Sequence, residues 1–165
     1  MQKTTFLLAA SLFLAACVKD QNAVIQSVEA MEKELKSKTE TDPRLANQMV
    51  AEYEGYAQAF PNDTTRVADY LLKAGQVAVA VGNKDKAVAL LEKSLKDYPN
   101  AKSSEKTMFI LAFTQENTLK DLEKARATYE AFLVKYPKSD LADDAQMAIA
   151  MLGKSPEEIM KGFAK

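Results

Sequence analysis

Apolar residues recur along this chain at helical spacing, in blocks that echo one another. Val24, Val28, Met31 and Leu35 form the one-sided stripe of a first helix. The same reading predicts helices near 21–38, 43–59, 64–81, 85–98, 103–116, 121–136, 140–152 and 156–163. Local start and stop signals support these boundaries. Asp42-Pro43 reads as an N-cap followed by proline at the first helical position. Asn62-Asp63-Thr64-Thr65 caps the next helix, and Gly82-Asn83-Lys84-Asp85 offers a left-handed end followed by a new cap. Ser155-Pro156-Glu157-Glu158 combines an N-cap serine, proline at N1 and an acid at N3 that closes a capping box.

The blocks repeat. Phe60-Pro61-Asn62, Tyr98-Pro99-Asn100 and Tyr136-Pro137-Lys138 stand 38 residues apart. At the same spacing Met49 aligns with Ala87 and Ala125, Tyr53 with Leu91 and Tyr129, and Tyr56 with Ser94 and Phe132. Downstream, Leu71 aligns with Phe109 and Met147, and Ala74 with Ala112 and Ala150. Each unit reads as two amphipathic helices joined by a short turn. The aromatic-proline pair ends the second helix, because proline cannot continue it and disfavours helical geometry in the residue before. The alanines permit close helix approach, and the large residues aligned with Leu71 fill the space between layers. Tyr53, Tyr56, Phe60, Phe109, Phe113, Tyr129, Phe132 and Tyr136 read as inter-helix core.

This organisation resembles the tetratricopeptide repeat. Residues 68–101 carry its pattern through Gly75, Ala87, Leu91 in the aromatic's place and Pro99. Residues 106–139 carry it through Ala125, Tyr129 and Pro137, with Phe113 in place of the small residue. The resemblance covers roughly residues 24–152. It implies an all-α fold, a right-handed superhelical stack of repeats near 24–63, 64–101 and 102–139. Terminal helices span 140–163, the last of them covering the open end. It also implies a non-enzymatic scaffold that binds partner proteins on a concave face lined by the first helix of each pair. In that alignment Asp69, Leu72, Gln76, Thr107, Ile110, Thr114 and Asn117 point into the groove. These residues are mixed and largely uncharged, and they lack the lysines and arginines of carboxylate clamps. They suit an extended peptide or a partner helix.

A narrower resemblance lies in residues 132–146, where Phe132-Leu133-Val134-Lys135-Tyr136-Pro137-Lys138-Ser139 precedes Ala142-Asp143-Asp144-Ala145. It is similar to the outer-membrane-protein assembly lipoproteins of the Bam machinery and to the periplasmic coordinator of the Tol-Pal system. The chain is shorter than the first group and lacks the N-terminal coiled coil of the second. The shared segment therefore argues repeat type, and an accessory role in assembly or envelope maintenance is what it implies. Peptidoglycan or another glycan is the alternative ligand.

The N-terminus supplies an address. Lys3 precedes an uncharged run from Phe6 to Ala15, too short for a stable membrane span and suited to a signal peptide over residues 1–16. Leu14-Ala15-Ala16-Cys17 resembles the lipobox of bacterial lipoproteins. The resemblance implies cleavage before Cys17, lipidation of its sulfur and residues 17–23 as tether. Val18, where an aspartate would favour inner-membrane retention, points to the outer membrane. A periplasm-facing position is the default, with the cell surface the alternative.

Composition narrows the function classes. The 22 basic and 23 acidic residues leave no basic excess for nucleic acid. Histidine is absent, and Cys17 is the single cysteine, so the usual nucleophile–base pairs and zinc sites cannot be assembled. No cofactor, metal or enzymatic role is expected. Asp143 and Asp144 are neighbours on a helix and do not face each other; they suit the first-turn dipole instead. Asp63-Thr64-Thr65 also resembles a bacterial O-glycosylation acceptor at Thr64.

Overall fold

The computed structural model describes residues 20–38 and 42–163, and every regular element among them is helical. The order is α1 (Gln21–Ser37), α2 (Pro43–Ala59), α3 (Thr64–Ala80), α4 (Lys84–Asp97) and α5 (Ser104–Thr114). A π-helical turn (Gln115–Leu119) prolongs α5, followed by α6 (Leu122–Lys135), α7 (Ala142–Met151) and α8 (Pro156–Phe163). From α1 to α7 each helix packs on its neighbours in sequence to form a stack of helix pairs.

The caps explain where the helices begin. The side chains of Asp42, Asp63, Asn83 and Asp121 each accept from a backbone N–H of the first turn. Ser155 and Glu158 form the reciprocal capping box, with Ser155 N–H donating to Glu158 at 2.8 Å and Glu158 N–H to Ser155 Oγ at 3.2 Å. The aromatic-proline ends are superimposable in backbone terms. Phe60, Tyr98 and Tyr136 have φ of −129°, −131° and −129° and ψ of 54°, 55° and 58°. Each donates its N–H to the carbonyl four residues back, and its own carbonyl accepts from Asp63, Ala101 or Ser139. The 38-residue spacing is thus a repeated geometry at the ends of α2, α4 and α6.

Two cores result. One gathers Val28, Met49, Tyr53, Tyr56, Tyr70 and Leu71 from α1, α2 and α3; the other gathers Ala112, Ala125, Tyr129, Phe132 and Ala145 around Phe109. Leu72, Leu91 and Leu111 form a smaller cluster linking α3, α4 and α5. Tyr70, absent from the predicted aromatic stripe, stands 5.0 Å from Tyr53 and 4.9 Å from Tyr56 between ring centroids.

The uniform 38-residue register fails in α5. Gly75 is buried, and a Cβ there would lie 2.7 Å from Leu91 Cγ. Phe113, 38 residues on, is 49% exposed and leaves the predicted core, whereas Ala112 is fully buried with Ala125 and Tyr129. Ala112 therefore takes the small-residue place. α5 begins later after Tyr98 than α3 does after Phe60, and the π-helical turn compensates by fitting one extra residue between α5 and the cap of α6. Past it the spacing is restored, with Gly82 and Lys120 both left-handed at φ 76° and 60°.

The far end of the stack also departs from expectation. Ala150 is exposed and Met147 is 53% exposed, although their 38-residue counterparts Ala112 and Phe109 are buried and half-buried. Among the described residues α8 follows α7 as a short terminal helix, with Met147 and Met160 still exposed beside it.

Candidate interaction cleft

Side chains on one stripe of α3 meet α1 and the start of α5 across a cleft of about 610 Å³. Arg66, Asp69, Lys73 and Gln76 recur at helical spacing on α3 and form its floor with Leu72. Glu29 and Glu32 of α1 form one wall, and Lys102, Ser103 and Lys106 the other. The site is thus built on the first helix of successive pairs, held at fixed spacing by the cores beneath.

Its charges are organised. Tyr53 donates its hydroxyl to Glu32 Oε1 at 2.8 Å, and Lys73 Nζ reaches the same oxygen at 3.1 Å. Lys73 also pairs with Asp69 at 3.1 Å. Partial burial would raise the Glu32 pKa, but the bonds from Tyr53 and Lys73 outweigh it and hold Glu32 below the ordinary carboxylate value. Burial pushes the Tyr53 hydroxyl well up, and its bond to Glu32 adds to that. At the cleft's edge Tyr56 donates to Asp63 Oδ2 at 2.6 Å, and Arg66 and Gln21 reach that oxygen at 2.8 and 3.0 Å. The Tyr56 bond is the main reason that Asp63 is also held below its ordinary value. Lys102 and Lys106 make no ion pair with a described residue.

The predicted groove residues divide. Asp69, Leu72 and Gln76 line the cleft, with Leu72 nearly buried in its floor. Ile110 is half-buried beside the Leu72 cluster, and exposed Asn117 donates to the Phe113 carbonyl at 3.3 Å. Thr107 and Thr114 are corrected: both are buried, and their hydroxyls donate to the carbonyls of Ser103 and Ile110. A uniform 38-residue register misplaces α5 by one residue, about 100° of helix rotation. The outward stripe of α5 instead runs through Lys106, Ile110 and Phe113. The expectation of a largely uncharged groove is corrected too, since Arg66, Lys73, Lys102 and Lys106 border it. Arg66 and Lys73 were legible as polar interruptions of an apolar helix; Glu32 required the packing of α1 to become visible.

Among the described residues no group of three or more histidine, cysteine or acidic side chains could hold a metal ion. No described helix is long and apolar enough to cross a membrane. Cys17 and the tether before Asp20 lie outside the described residues. The cleft's resources are hydrogen bonds, paired charges and two lysines in no ion pair with a described residue, which suit binding of polypeptide.

Comparison with known families agrees with this class. Residues 69–101 and 106–139 each match the tetratricopeptide repeat model, in keeping with an all-α helical-repeat solenoid. The two matches begin 37 residues apart and end 38 apart. No curated protein and no solved structure matches the chain.

Proposed function

We propose that this protein is a lipid-anchored, non-enzymatic scaffold that holds a segment of a partner protein in the cleft across α1, α3 and α5. The observation that carries the reading is the placement of Gln76, Lys106 and Phe113 on outward stripes of adjacent first helices. Rigid repeat packing beneath them lowers the ordering cost of binding. Tetratricopeptide repeats are typically interaction scaffolds, and the paired cleft charges favour a polar partner segment with an apolar anchor.

Anchorage through Cys17 is supported by the Leu14-Ala15-Ala16-Cys17 motif, and Val18 supports the outer membrane, with the repeats facing the periplasm or, as the alternative, the cell surface. Two or three acyl chains, at about 0.8 kcal/mol per buried methylene, suffice for stable attachment. Metabolic labelling with a palmitate analogue reads this directly. Label is expected on the intact chain and not on Cys17→Ser.

The binding reading is tested with a photo-crosslinking residue at Gln76 in intact cells, and at Val134, 84% exposed on α6, for comparison. A discrete adduct is expected from Gln76 alone, lost on Lys106→Glu or Phe113→Ala. Equal adducts from both positions, or none from Gln76, would overturn the assignment.

A further inference from the structure

The chain enters the repeats at a fixed corner. Asp20 caps α1 by accepting from Asn22 N–H at 3.0 Å, and Gln21 Nε2 donates to the Tyr56 hydroxyl at 2.7 Å and to Asp63 Oδ2 at 3.0 Å. The start of α1 is therefore held against the turn that joins α2 to α3. That turn belongs to a row. Asp63 and Arg66 border the same cleft as Lys102 and Ser103, and Ser104 Oγ donates to the Tyr98 carbonyl. Lys135 Nζ donates to the Pro99 carbonyl, and Ser139 Oγ donates to Glu105. The three aromatic-proline turns thus line one edge of the stack, beside the point where the chain enters. The left-handed turns at Gly82 and Lys120 lie at the other ends of α3 and α5, on the opposite edge. The 17 residues of α3 set the two edges about 25 Å apart.

Cys17 stands three residues before Asp20, and three residues reach at most about 11 Å, less than half the length of α3. With the acyl chains of Cys17 in a bilayer, the anchorage on which this inference rests, Asp20 stays within that reach of the lipid. The N-terminus of α1 points out of the edge that carries the turns. The direct path from lipid into α1 therefore leaves the helices upright with that edge facing the headgroups. Laying the outer side of α1, with Gln26, Ala30 and Lys33, on the bilayer would need the three residues to double back around a helix about 5–6 Å in radius. We infer that the aromatic-proline edge is apposed to phospholipid headgroups, with Asn62, Asn100 and Lys138 facing them from the same exposed place in successive turns. Its charges nearly balance, Lys96, Lys102 and Lys138 standing against Asp140, Asp143 and Asp144, so the anchor and not charge attraction sets the contact. The cleft then stands upright on the bilayer, its Arg66 end next to the lipid and Gln76 about 15 Å further out.

The test uses the full-length chain, expressed in cells that process lipoproteins and reconstituted in phosphatidylethanolamine–phosphatidylglycerol vesicles carrying a headgroup nitroxide lipid. A fluorescent amino acid is placed singly at Asn62, Asn100 or Lys138 on the row, at Lys84 on the opposite edge and at Lys33 on α1. Circular dichroism checks that each variant is folded. Against vesicles without nitroxide, emission from the three row positions should fall at least about twofold. Emission from Lys84 and Lys33 should fall by under about a tenth, because both labels stand about 20–25 Å further from the lipid. Quenching at Lys33 or Lys84 as strong as at Asn62, or quenching confined to Asn62, would overturn the inference. Flotation with the vesicles, lost on Cys17→Ser, reads the anchor separately. A chain that floats with the wrong quenching pattern overturns the orientation alone, and a chain that does not float overturns the anchorage with it. Either result leaves the cleft assignment of α3 untouched.

Discussion

Gly75 and Ala112 fill the same small-residue place in two successive helix pairs, 37 residues apart. Gly82 and Lys120, which end the first helices of those pairs in left-handed geometry, stand 38 apart. One residue has been added between these landmarks, and the π-helical turn at Gln115–Leu119 is where it is accommodated. In this register Phe113 faces outward and Thr107 and Thr114 inward, which sets the side chains that α5 offers to a partner.

Gly75→Ala is expected to destabilise the protein by about 1–3 kcal/mol, because its Cβ would collide with the fully buried Leu91. Gly55→Ala is the contrast. It lies inside α2 with nothing within 4 Å of its Cβ position, so helix propensity should make the change stabilising by about 0.5–1 kcal/mol. Urea unfolding of the two variants should therefore shift in opposite directions.

The register of α5 has its own test. Ala112→Leu overpacks a fully buried position and should cost about 1–3 kcal/mol, while Phe113→Ala at a half-exposed site should cost under about 1 kcal/mol. A uniform 38-residue repeat would place Phe113 against α6 and reverse that order. Thermal unfolding of both variants decides between the two registers.

Much of this was legible in the sequence because each boundary has a local chemical cause. Asp42-Pro43, Ser155 with Glu158, and the three aromatic-proline ends act through backbone groups a few residues away, so no tertiary knowledge is needed to read them. The assignment of cleft residues on α3 followed from the tetratricopeptide resemblance. It failed on α5 because a one-residue insertion inside a helix leaves no proline, glycine or composition change to mark it. Tyr70 and Glu32 were missed for another reason. Tyr70 is set by rings on α2, and Glu32 by Tyr53 and Lys73, contacts 21 and 41 residues distant.

Lys120 adopts φ 60°, the left-handed region that costs a side-chain-bearing residue about 1–2 kcal/mol. Gly82 holds the equivalent place in the preceding pair without that cost. Lys120→Gly should accordingly raise stability by about 1 kcal/mol, and Gly82→Ala should lower it by a similar amount. A loss of stability in Lys120→Gly would mean that the lysine side chain holds the turn by contacts of its own.

The Tyr53–Glu32 bond ties the docking of α1 to pH. Glu32 has a folded pKa below its ordinary value, so its contribution is complete above the unfolded carboxylate range of about 4.3 and fades as pH falls through the lower folded value. Tyr53→Phe removes the hydroxyl that donates at 2.8 Å and leaves the ring packing on Tyr70. A hydrogen bond to a charged acceptor is worth about 2 kcal/mol and one to a neutral acid about 1 kcal/mol. The variant should therefore be less stable than the native chain by about 2 kcal/mol at pH 7, with the gap narrowing toward about 1 kcal/mol at an acid pH below the folded Glu32 value. Urea titrations at the two pH values measure it. A gap that stays constant with pH would show that the Tyr53 hydroxyl stabilises the fold without acting through the Glu32 carboxylate.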